Sequence, residues 1–396
     1  MSVLDLLNQL QSSAEDDDSC SSEDERFYIK GRHLPLWINA SDVSGITGYN
    51  PYCDHVQMLT DYLYKGRDDL TEKDKEDGVQ VMSEGEFIMS CLEKTRDHKK
   101  VSQLLECKPD THTELQDLNN KIDEEVKNAC SVLTSEEKQA IEKVVNKEDL
   151  KEDDISTLKS LCEDQSLAAE EKQVISCILA NPKKKDFKNI DLKKVQALTD
   201  KTTMTSDEQQ LLAKKLRGNV NKSFGTMKEH IAIKIYEQRT GHRVRNNNDR
   251  LYKLKFVKDE CDPYFWICGK VDGITDKRGS PDRCLLEVKN RKNRLFKNIP
   301  IYDQVQTTIY MKMLGCEFCD FVQCLNTSRG PKISINEITI NHQLWSVVQD
   351  RLYKYIDLIY RLRDDHDLRQ SILRQDRESI LEFLNSECEW IYAQTT

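Results

Sequence analysis

The sequence predicts an α+β protein with a large all-helical repeat insertion, and three observations lead to that fold class. Segments rich in β-branched and aromatic residues, separated by turn residues, cluster in the second half of the chain. Helical periodicity precedes and follows these strands. Between residues 67 and 217, Lys and Glu are abundant, Gly and Pro are scarce, and apolar residues recur with a 3.6-residue period.

The clearest strands lie on either side of a predicted turn. Residues 269–274 and 284–291 are typical strands, and a turn centred on Gly279-Ser280 pairs residues whose numbers sum to 559. This register places Asp272 opposite Glu287, with Lys289 on the same face and directed away from the core. Facing carboxylates destabilise a sheet unless a divalent cation lies between them. A one-residue slip would separate the pair and leave an ordinary exposed sheet face.

Composition limits the classes of protein that this chain can be. Its 396 residues leave room for two or three domains, and 32% charged residues predict much solvated helix. The net charge of -10 argues against a protein that coats nucleic acid non-specifically. Without an apolar run of about 18 residues or a signal sequence, the chain is expected to be soluble and intracellular, with reduced cysteines and no membrane partner.

Cys316, Cys319 and Cys324 leave a metal-cluster alternative open, because two of them have the spacing of cluster ligands. Against it, residues 320–325 are typical of a core strand, which would not offer a ligand loop.

The first half of the chain begins with an acidic tail, residues 1–29, which we expect to be disordered, with a short amphipathic helix over residues 1–11 as a docking alternative. Ser41 or Asp42 is expected to start a short helix that Gly48 stops. Similar helix openings then recur at Ser135, Ala169 and Ser206, 34 and 37 residues apart, and the last two follow helices near residues 155–162 and 192–198. Stacked helical hairpins of this kind commonly bind a protein partner.

The second half alternates helices and strands. A helix carrying Glu229 ends at Gly241, and Thr226 lies three residues before Glu229, which also fits a helix-capping box. Strands are predicted at residues 251–257, 264–274, 321–325 and 332–340. Pro300 and Gly315 bracket a helix, and further helices are predicted over residues 341–363 and 371–392.

Asp272 followed by Glu287-Val288-Lys289 resembles the D-(x)n-E-x-K motif of the PD-(D/E)xK nuclease superfamily. Three further stretches, residues 38–52, 225–241 and 302–315, make the chain similar more narrowly to the lambda-type (YqaJ-like) viral exonucleases. The resemblance covers about residues 30–66 and 219–340. It implies a restriction-endonuclease-like core with a mixed central sheet flanked by helices.

The same resemblance implies a set of site residues. Asp272, Glu287 and the Val288 carbonyl would bind one or two Mg²⁺ or Mn²⁺ ions, with Glu229 as a further ligand. Lys289 would orient the attacking water, and Gln304 would assist it, with Gln306 as second choice. In the family an arginine before the Ala-Ser pair contacts the terminal phosphate. Its equivalent here falls on Leu34, so Arg32 is the nearest candidate beside Ser41.

Residues 290–297 form a basic stretch that follows the motif strand, and its Arg291, Lys292 and Arg294 would steer DNA phosphates towards the carboxylates. The expected domains are a nuclease domain formed by residues 30–66 and 218–363, an inserted helical-hairpin repeat domain over residues 67–217, and a C-terminal helix over residues 364–396.

Function follows the same resemblance. It implies 5′→3′ degradation of double-stranded DNA ends in viral or mobile-element recombination and a partner such as a single-strand annealing protein. Family members form a ring of subunits around the duplex, so a homo-oligomer is one expectation, and the helical insertion of this chain could instead block or replace such a ring. Two alternatives stay open. One is a structure-specific endonuclease or RNA nuclease on the same fold, and the other is a non-catalytic adaptor that binds proteins through the helical insertion.

Overall fold

A computed structural model of the chain describes residues 35–79, 81–95, 98–146, 148–163, 169–180, 202–245, 248–258, 263–276 and 283–391. The described residues divide into two compact units, Gly85–Phe224 and a second unit that combines the residues up to Glu84 with those from Gly225 onwards. The predicted tail and Arg32 lie outside the described residues. None of the helices described is long and apolar enough to cross a membrane.

In chain order the elements are β1 (Leu36–Asn39), α1 (Val43–Ile46), α2 (His55–Tyr64), α3 (Asp68–Glu76), α4 (Glu84–Glu93), α5 (His98–Leu105), α6 (His112–Ala129), α7 (Ser135–Val145), α8 (Glu152–Glu163), α9 (Ala169–Leu179), α10 (Ser206–Thr240), β2 (Val244–Arg245), β3 (Leu251–Val257), β4 (Pro263–Lys270), β5 (Gly273–Asp276), β6 (Arg283–Asn290), α11 (Ile301–Leu314), β7 (Phe318–Thr327), β8 (Gly330–Thr339), α12 (His342–Asp364), α13 (His366–Leu373) and α14 (Arg377–Glu387).

The regular secondary structure described in the first unit is helical, apart from one bridge between Ser131 and Thr202. Helices α7, α9 and α10 begin at the three predicted positions, Ser135, Ala169 and Ser206. Two of these starts share a physical cause, since Thr134 with Glu137 and Thr205 with Glu208 exchange side-chain and backbone hydrogen bonds as capping boxes. The predicted helix over residues 192–198 lies outside the described residues.

Helix α10 runs for 35 residues without interruption, and the division between the two units falls within it, at Phe224 and Gly225. The boundary expected at residues 217–218 also lies inside this helix. Glu229 is therefore an interior helical residue, and Thr226 does not cap a helix start. The capping alternative for Glu229 is excluded.

The second unit contains two sheets that the chain joins directly. A three-stranded sheet has the order β1-β4-β3, and a five-stranded sheet has the order β2-β5-β6-β7-β8. Each is mixed, because β1 pairs with β4 and β6 with β7 in parallel, whereas the other pairs are antiparallel. Strand β4 ends at Lys270 and β5 begins at Gly273, so the chain changes sheets at Val271 and Asp272. The predicted α+β class with a mixed sheet is confirmed.

Apolar residues cover both faces of the five-stranded sheet. On one face, Leu285 and Phe321 join the larger core, which includes residues of α11 and α12. On the other face, Leu286 and Val288 pack with Ala232 and Tyr236 of α10. Glu287 shares the face of Leu285, so its side chain enters the larger core's side of the sheet instead of leaving it as expected. That sheet face is covered by helices rather than solvent.

The predicted hairpin register is confirmed. Gly273 pairs with Leu286 and Ile274 with Leu285, as the register that opposes Asp272 and Glu287 requires. The C-terminal helix is instead two helices, α13 and α14. Asp365 and Asp376 each accept a hydrogen bond from the backbone N–H three residues on, and such caps start new helices.

Candidate active site

Asp272 occupies the break between β4 and β5, and the break brings its carboxylate to the neighbouring strand. Its Oδ2 accepts a hydrogen bond of 2.6 Å from the Val288 backbone N–H. Val288 itself buries its side chain in the smaller apolar cluster. The backbone of Val288 therefore reaches the site, while the side chain holds β6 against α10.

Glu287 and Lys289 form an ion pair on one face of β6, as their two-residue spacing predicted. The Lys289 Nζ lies 2.8 Å from the Glu287 Oε1. Glu287 is only 1% exposed, and its Oε2 is buried without a hydrogen-bond partner among the described residues. A buried polar atom of this kind costs free energy unless something binds it, which marks the position as a ligand site.

Glu229 reaches the same carboxylates from α10. It hydrogen bonds with Asp272, and burial raises the pKa of both carboxyl groups. The Asn248 Nδ2 donates a second hydrogen bond of 2.8 Å to the Glu229 Oε2. Asn248 has a left-handed backbone with φ of 54°, which asparagine tolerates better than most residues.

Sequence reasoning missed Asn248. The signal available was the run of three asparagines, residues 246–248, because such residues favour turns and left-handed backbone.

Proton affinities show that the site concentrates negative charge. Burial raises the pKa of Asp272 well above its usual range, and the charge of Glu229 adds to this. Burial and the Asp272 charge raise the pKa of Glu287 to about 8. Burial alone would lower the pKa of Lys289, but Glu287 and Asp272 outweigh it and raise that pKa above the usual value. The arrangement is thus suited to a cation, which would compete with the protons.

Gln306, the second choice, is the glutamine that the structure brings to Lys289. Its Oε1 accepts a hydrogen bond of 2.8 Å from the Lys289 Nζ, and its Nε2 lies 3.4 Å from the Tyr310 hydroxyl. Gln304, the first choice, donates instead to the Ile299 carbonyl at 2.7 Å. Side chains that lie two residues apart on a helix point about 200° away from each other. Helix α11 can therefore direct only one of the two glutamines to β6.

Gly269 of β4 permits this arrangement. A Cβ atom there would lie 2.8 Å from the Tyr310 ring and 3.0 Å from the Ala40 Cβ. The absent side chain therefore lets Tyr310 approach the strand and support Gln306.

Arg291 departs from its expected role in DNA binding. It is 8% exposed, its Nη2 lies 2.7 Å from the Asp303 Oδ2, and its Nε donates to Gln323 at 2.9 Å. Its guanidinium also lies over the Phe296 ring. A buried guanidinium with these two partners holds the loop after β6 to α11 and is not presented to a phosphate.

Three further candidates for DNA binding, all among the described residues, lie at the surface. Lys292 and Arg294 are exposed, and the Arg294 guanidinium lies over the Phe296 ring. Ser41 is exposed and donates to the Asp42 Oδ1 at 3.2 Å.

The donor set fits a hard divalent cation. Glu229, Asp272 and Glu287 offer carboxylate oxygens, the ligands that Mg²⁺ and Mn²⁺ prefer. Glu229 hydrogen bonds with Asp272 and Glu287 pairs with Lys289, and among the described residues these three acids do not form a group whose ligand atoms all lie within 4.8 Å of one another. The cysteine alternative does not fit, since Cys319 and Cys324 belong to core clusters on opposite faces of β7.

Another acidic group lies away from this site. Within the described residues, Asp74, Asp77 and His366 form the set whose potential ligand atoms all lie within 4.8 Å of one another. Asp74 is already engaged there by the Arg369 guanidinium, at 2.7 Å, and by the Tyr64 hydroxyl, at 2.7 Å. This saturation favours a structural role in joining α3 to α13.

Comparisons with known proteins bear on the same part of the chain. Residues 175–313 match the family model of the YqaJ-like viral recombinase domain. No curated protein sequence matches this chain. Among solved structures, an alkaline exonuclease from Laribacter hongkongensis is 17% identical, with a TM-score of 0.28, over 43% of this chain and 89% of that chain. Its complex with dAMP gives 18% identity and a TM-score of 0.28, over 42% and 87% of the two chains.

The matched range contains Glu229, Asp272, Glu287, Lys289 and Gln306. The resemblance to YqaJ-like viral recombinases is therefore confirmed for residues 175–313, which match that domain family.

Proposed function

We propose that this protein is a metal-dependent deoxyribonuclease that degrades linear double-stranded DNA from its ends in the 5′→3′ direction, in viral or mobile-element recombination. One observation carries the proposal. One oxygen of Glu287 on β6 is buried without a partner among the described residues, and the Lys289 ammonium lies 2.8 Å from its other oxygen. Asp272, in the break before β5, hydrogen bonds with Glu229 of α10 and adds its charge beside Glu287. Three acids with raised pKa values and a protonated lysine have little structural use together.

The residues present fit one or two divalent ions. Glu229, Asp272, Glu287 and the Val288 backbone would hold Mg²⁺ or Mn²⁺, and a bound ion would supply charge stabilisation and a more acidic water. The orphaned Glu287 Oε2 supports this assignment, because it would gain a partner. No other described group offers that oxygen a hydrogen bond.

Lys289 would act as a donor and not as a base. Its raised pKa keeps the ammonium protonated at neutral and alkaline pH. The hydrogen bond to Gln306 fixes where the ammonium points, so it can orient the attacking water or neutralise a phosphate oxygen. Hydrolysis would then form a bond between the water oxygen and phosphorus and break the P–O3′ bond, with a proton ending on O3′.

The DNA would approach across the surface residues around the site. Lys292 and Arg294 are exposed beyond the end of β6, where phosphates of the duplex would pass. Ser41 and Arg32 are proposed to hold the 5′ end, by the resemblance alone. The helical unit is proposed to bind a protein partner such as a single-strand annealing protein, and a homo-oligomer of the chain is proposed as a further assembly.

Digestion of end-labelled DNA tests the function. The substrates would be 5′-phosphorylated linear duplex, 5′-hydroxyl linear duplex, closed circular DNA of the same sequence and duplex RNA, each with Mg²⁺ or EDTA. Release of mononucleotides from linear DNA only, in Mg²⁺ only, would support the proposal. Cleavage of the circle or of RNA would favour the alternative nucleases, and no cleavage of any substrate would favour the adaptor.

Glu287→Gln is the matched variant for this test, because it keeps the size of the side chain and removes its charge. Glu317→Gln is its control, since Glu317 is exposed just before β7. The proposal requires loss of cleavage in the first variant and not in the second.

A further inference from the structure

The outer face of the three-stranded sheet has a composition that the nuclease chemistry does not use. Residues alternate between the two faces of a strand, and the inner face supplies core residues. The inner residues are Leu36 and Ile38 of β1, Phe265 and Ile267 of β4, and Phe256 of β3. The intervening residues form the outer face.

Two tryptophans lie side by side on this outer face. Trp37 of β1 and Trp266 of β4 are direct neighbours in the parallel ladder, with ring centroids 6.4 Å apart. Both rings are partly exposed, and neither belongs to the core clusters described above. Two of the four tryptophans of the chain therefore lie on one surface instead of filling the core.

Lysines surround the two rings. Lys255 is the ladder neighbour of Trp266, and the Lys253 Nζ lies 4.4 Å from the centre of the Trp37 ring. Lys270 ends β4 on the same face, and the Lys65 Nζ lies 3.5 Å from the Asn39 Oδ1 at the edge of β1. Positive charge is thus concentrated here in a chain with net charge -10.

One acid, Asp42, lies at the same edge of β1, but its carboxylate is already engaged. Its Oδ2 accepts hydrogen bonds from the Asn39 side chain, at 3.1 Å, and from the Tyr62 hydroxyl, at 2.7 Å. The carboxylate is therefore held by residues at the end of β1 and on α2.

We infer that this outer face, formed by Trp37, Trp266, Lys253, Lys255 and Lys270, binds single-stranded nucleic acid. Stacking platforms for single strands combine aromatic rings with cations that follow the phosphates. A duplex hides its base faces, so a flat sheet surface with two rings selects unpaired bases. The inference stands on this surface and does not require that the protein cleaves DNA.

The outer face lies next to the segment of the chain that carries Asp272. Lys270 lies two residues before Asp272, and a strand rises about 3.3 Å per residue, so Trp266 and Lys270 span roughly 13 Å of β4. A single strand lying on this face would end close to the carboxylates. It would be held by the same sheet that delivers Asp272.

Binding to the intact chain tests the inference. Fluorescein-labelled oligo-dT and the matching duplex would be titrated in EDTA, which prevents cleavage, and anisotropy would give Kd at several salt concentrations. We expect the single strand to bind more tightly than the duplex. Lys253→Glu with Lys255→Glu should weaken oligo-dT binding at least about tenfold and reduce the salt slope by roughly 0.7 for each phosphate that the lysines no longer neutralise.

The tryptophan variants test stacking separately. Trp266→Leu should weaken oligo-dT binding at least about fivefold, the lower end of the range for one stacked base. The variant with both lysines changed is tested separately and keeps both tryptophans. If Trp266→Leu loses stability, the lysine test is therefore unaffected. Thermal unfolding of every variant would be measured alongside.

Lys332→Glu is the control for charge, because Lys332 is an exposed lysine on β8 of the other sheet. The inference is overturned if this variant weakens binding as much as the Lys253 and Lys255 changes do, or if duplex binds as tightly as the single strand. A synthetic acidic peptide with the sequence of residues 14–26 provides a further comparison. The inference is also overturned if binding of this peptide depends on Lys253 and Lys255 while binding of oligo-dT does not. Failure here with intact Mg²⁺-dependent cleavage would leave the proposed nuclease standing.

Discussion

Glu287 and Lys289 lie two residues apart on β6 and pair at 2.8 Å, yet the second oxygen of Glu287 is buried without a partner among the described residues. The pairing therefore satisfies only half of the carboxylate. A neutral or smaller residue at position 287 would be more stable on the same strand, because it would leave no carboxylate oxygen buried without a partner. Sites that bind ligands commonly retain such unfavourable groups.

The first prediction is that Glu287→Gln loses cleavage and gains stability in the absence of metal. The variant removes a buried charge that Asp272 repels, and it leaves an amide that can still accept a hydrogen bond from Lys289. We expect the free energy of unfolding at pH 8 in EDTA to rise by about 1–3 kcal/mol. Urea unfolding would measure it, and a destabilised variant would contradict the assignment of Glu287 as an uncompensated carboxylate.

The second prediction concerns the pH dependence of stability. The pKa of Glu287 is about 8 in the folded protein and ordinary in the unfolded chain, so between these values the folded state binds more protons. Stability of the metal-free protein should therefore fall as pH rises from about 5 to about 8, by up to about 1.4 kcal/mol per pH unit for each such group. The raised pKa values of Asp272 and Glu229 act in the same direction.

Urea unfolding in EDTA across this pH range provides the measurement, and Glu287→Gln provides the comparison. His55 has a pKa lowered by burial and contributes with the opposite sign, but its contribution cancels in the difference between wild type and variant. We expect the difference to grow with pH. A constant difference would mean that Glu287 does not titrate in this range.

The third prediction separates two glutamines on the same helix. Gln306→Ala should lower the cleavage rate about 10–100-fold, the usual loss when a residue that positions a site group is removed, because Lys289 loses its hydrogen-bond acceptor. Gln304→Ala should change the rate little, since Gln304 bonds to the Ile299 carbonyl. Steady-state kcat and KM with linear duplex would be measured for both variants. Equal losses of rate in the two would contradict the proposed role of Gln306.

The fourth prediction contrasts two arginines of the basic stretch. Arg291→Ala should cost about 3–5 kcal/mol of stability, because it leaves the buried Asp303 carboxylate unpaired. Arg294→Ala should change stability by less than about 0.5 kcal/mol, since Arg294 is exposed, and should weaken DNA binding instead. Urea unfolding and DNA anisotropy of both variants give the two readouts, and a stable Arg291→Ala would contradict the structural role.

Local sequence patterns predicted those parts of the molecule that local physics determines. The hairpin register around Asp272 and Glu287 followed from turn chemistry and strand alternation, and the helix starts followed from a recurring sequence pattern, which at two of the three starts reflects a capping box. The burial of Arg291 could not be predicted in the same way, since it depends on Asp303 and Gln323 from other elements. The face of β6 that holds Glu287 was misjudged because both sides of its sheet are covered.

The choice between Gln304 and Gln306 shows the same limit at the site itself. Either residue suits a helix, and only the rotation of α11 against β6 decides which one meets Lys289. Asn248 was missed because its role depends on a contact with Glu229, 19 residues earlier in the chain.

The fifth prediction tests Asn248, which holds Glu229 beside Asp272. Glycine adopts the φ of 54° freely, so Asn248→Gly introduces no backbone strain. The substitution removes the side-chain amide that donates to the Glu229 Oε2. Glu229 would lose one of its two hydrogen bonds, so we expect Mn²⁺ affinity to fall about tenfold while the thermal midpoint changes little. Calorimetric titration of Mn²⁺ would measure the affinity, with Asn293→Gly, an exposed position after β6, as the control. Unchanged Mn²⁺ affinity in Asn248→Gly would mean that Glu229 does not contribute to the metal site, and the ligands would then be reduced to Asp272, Glu287 and the Val288 backbone.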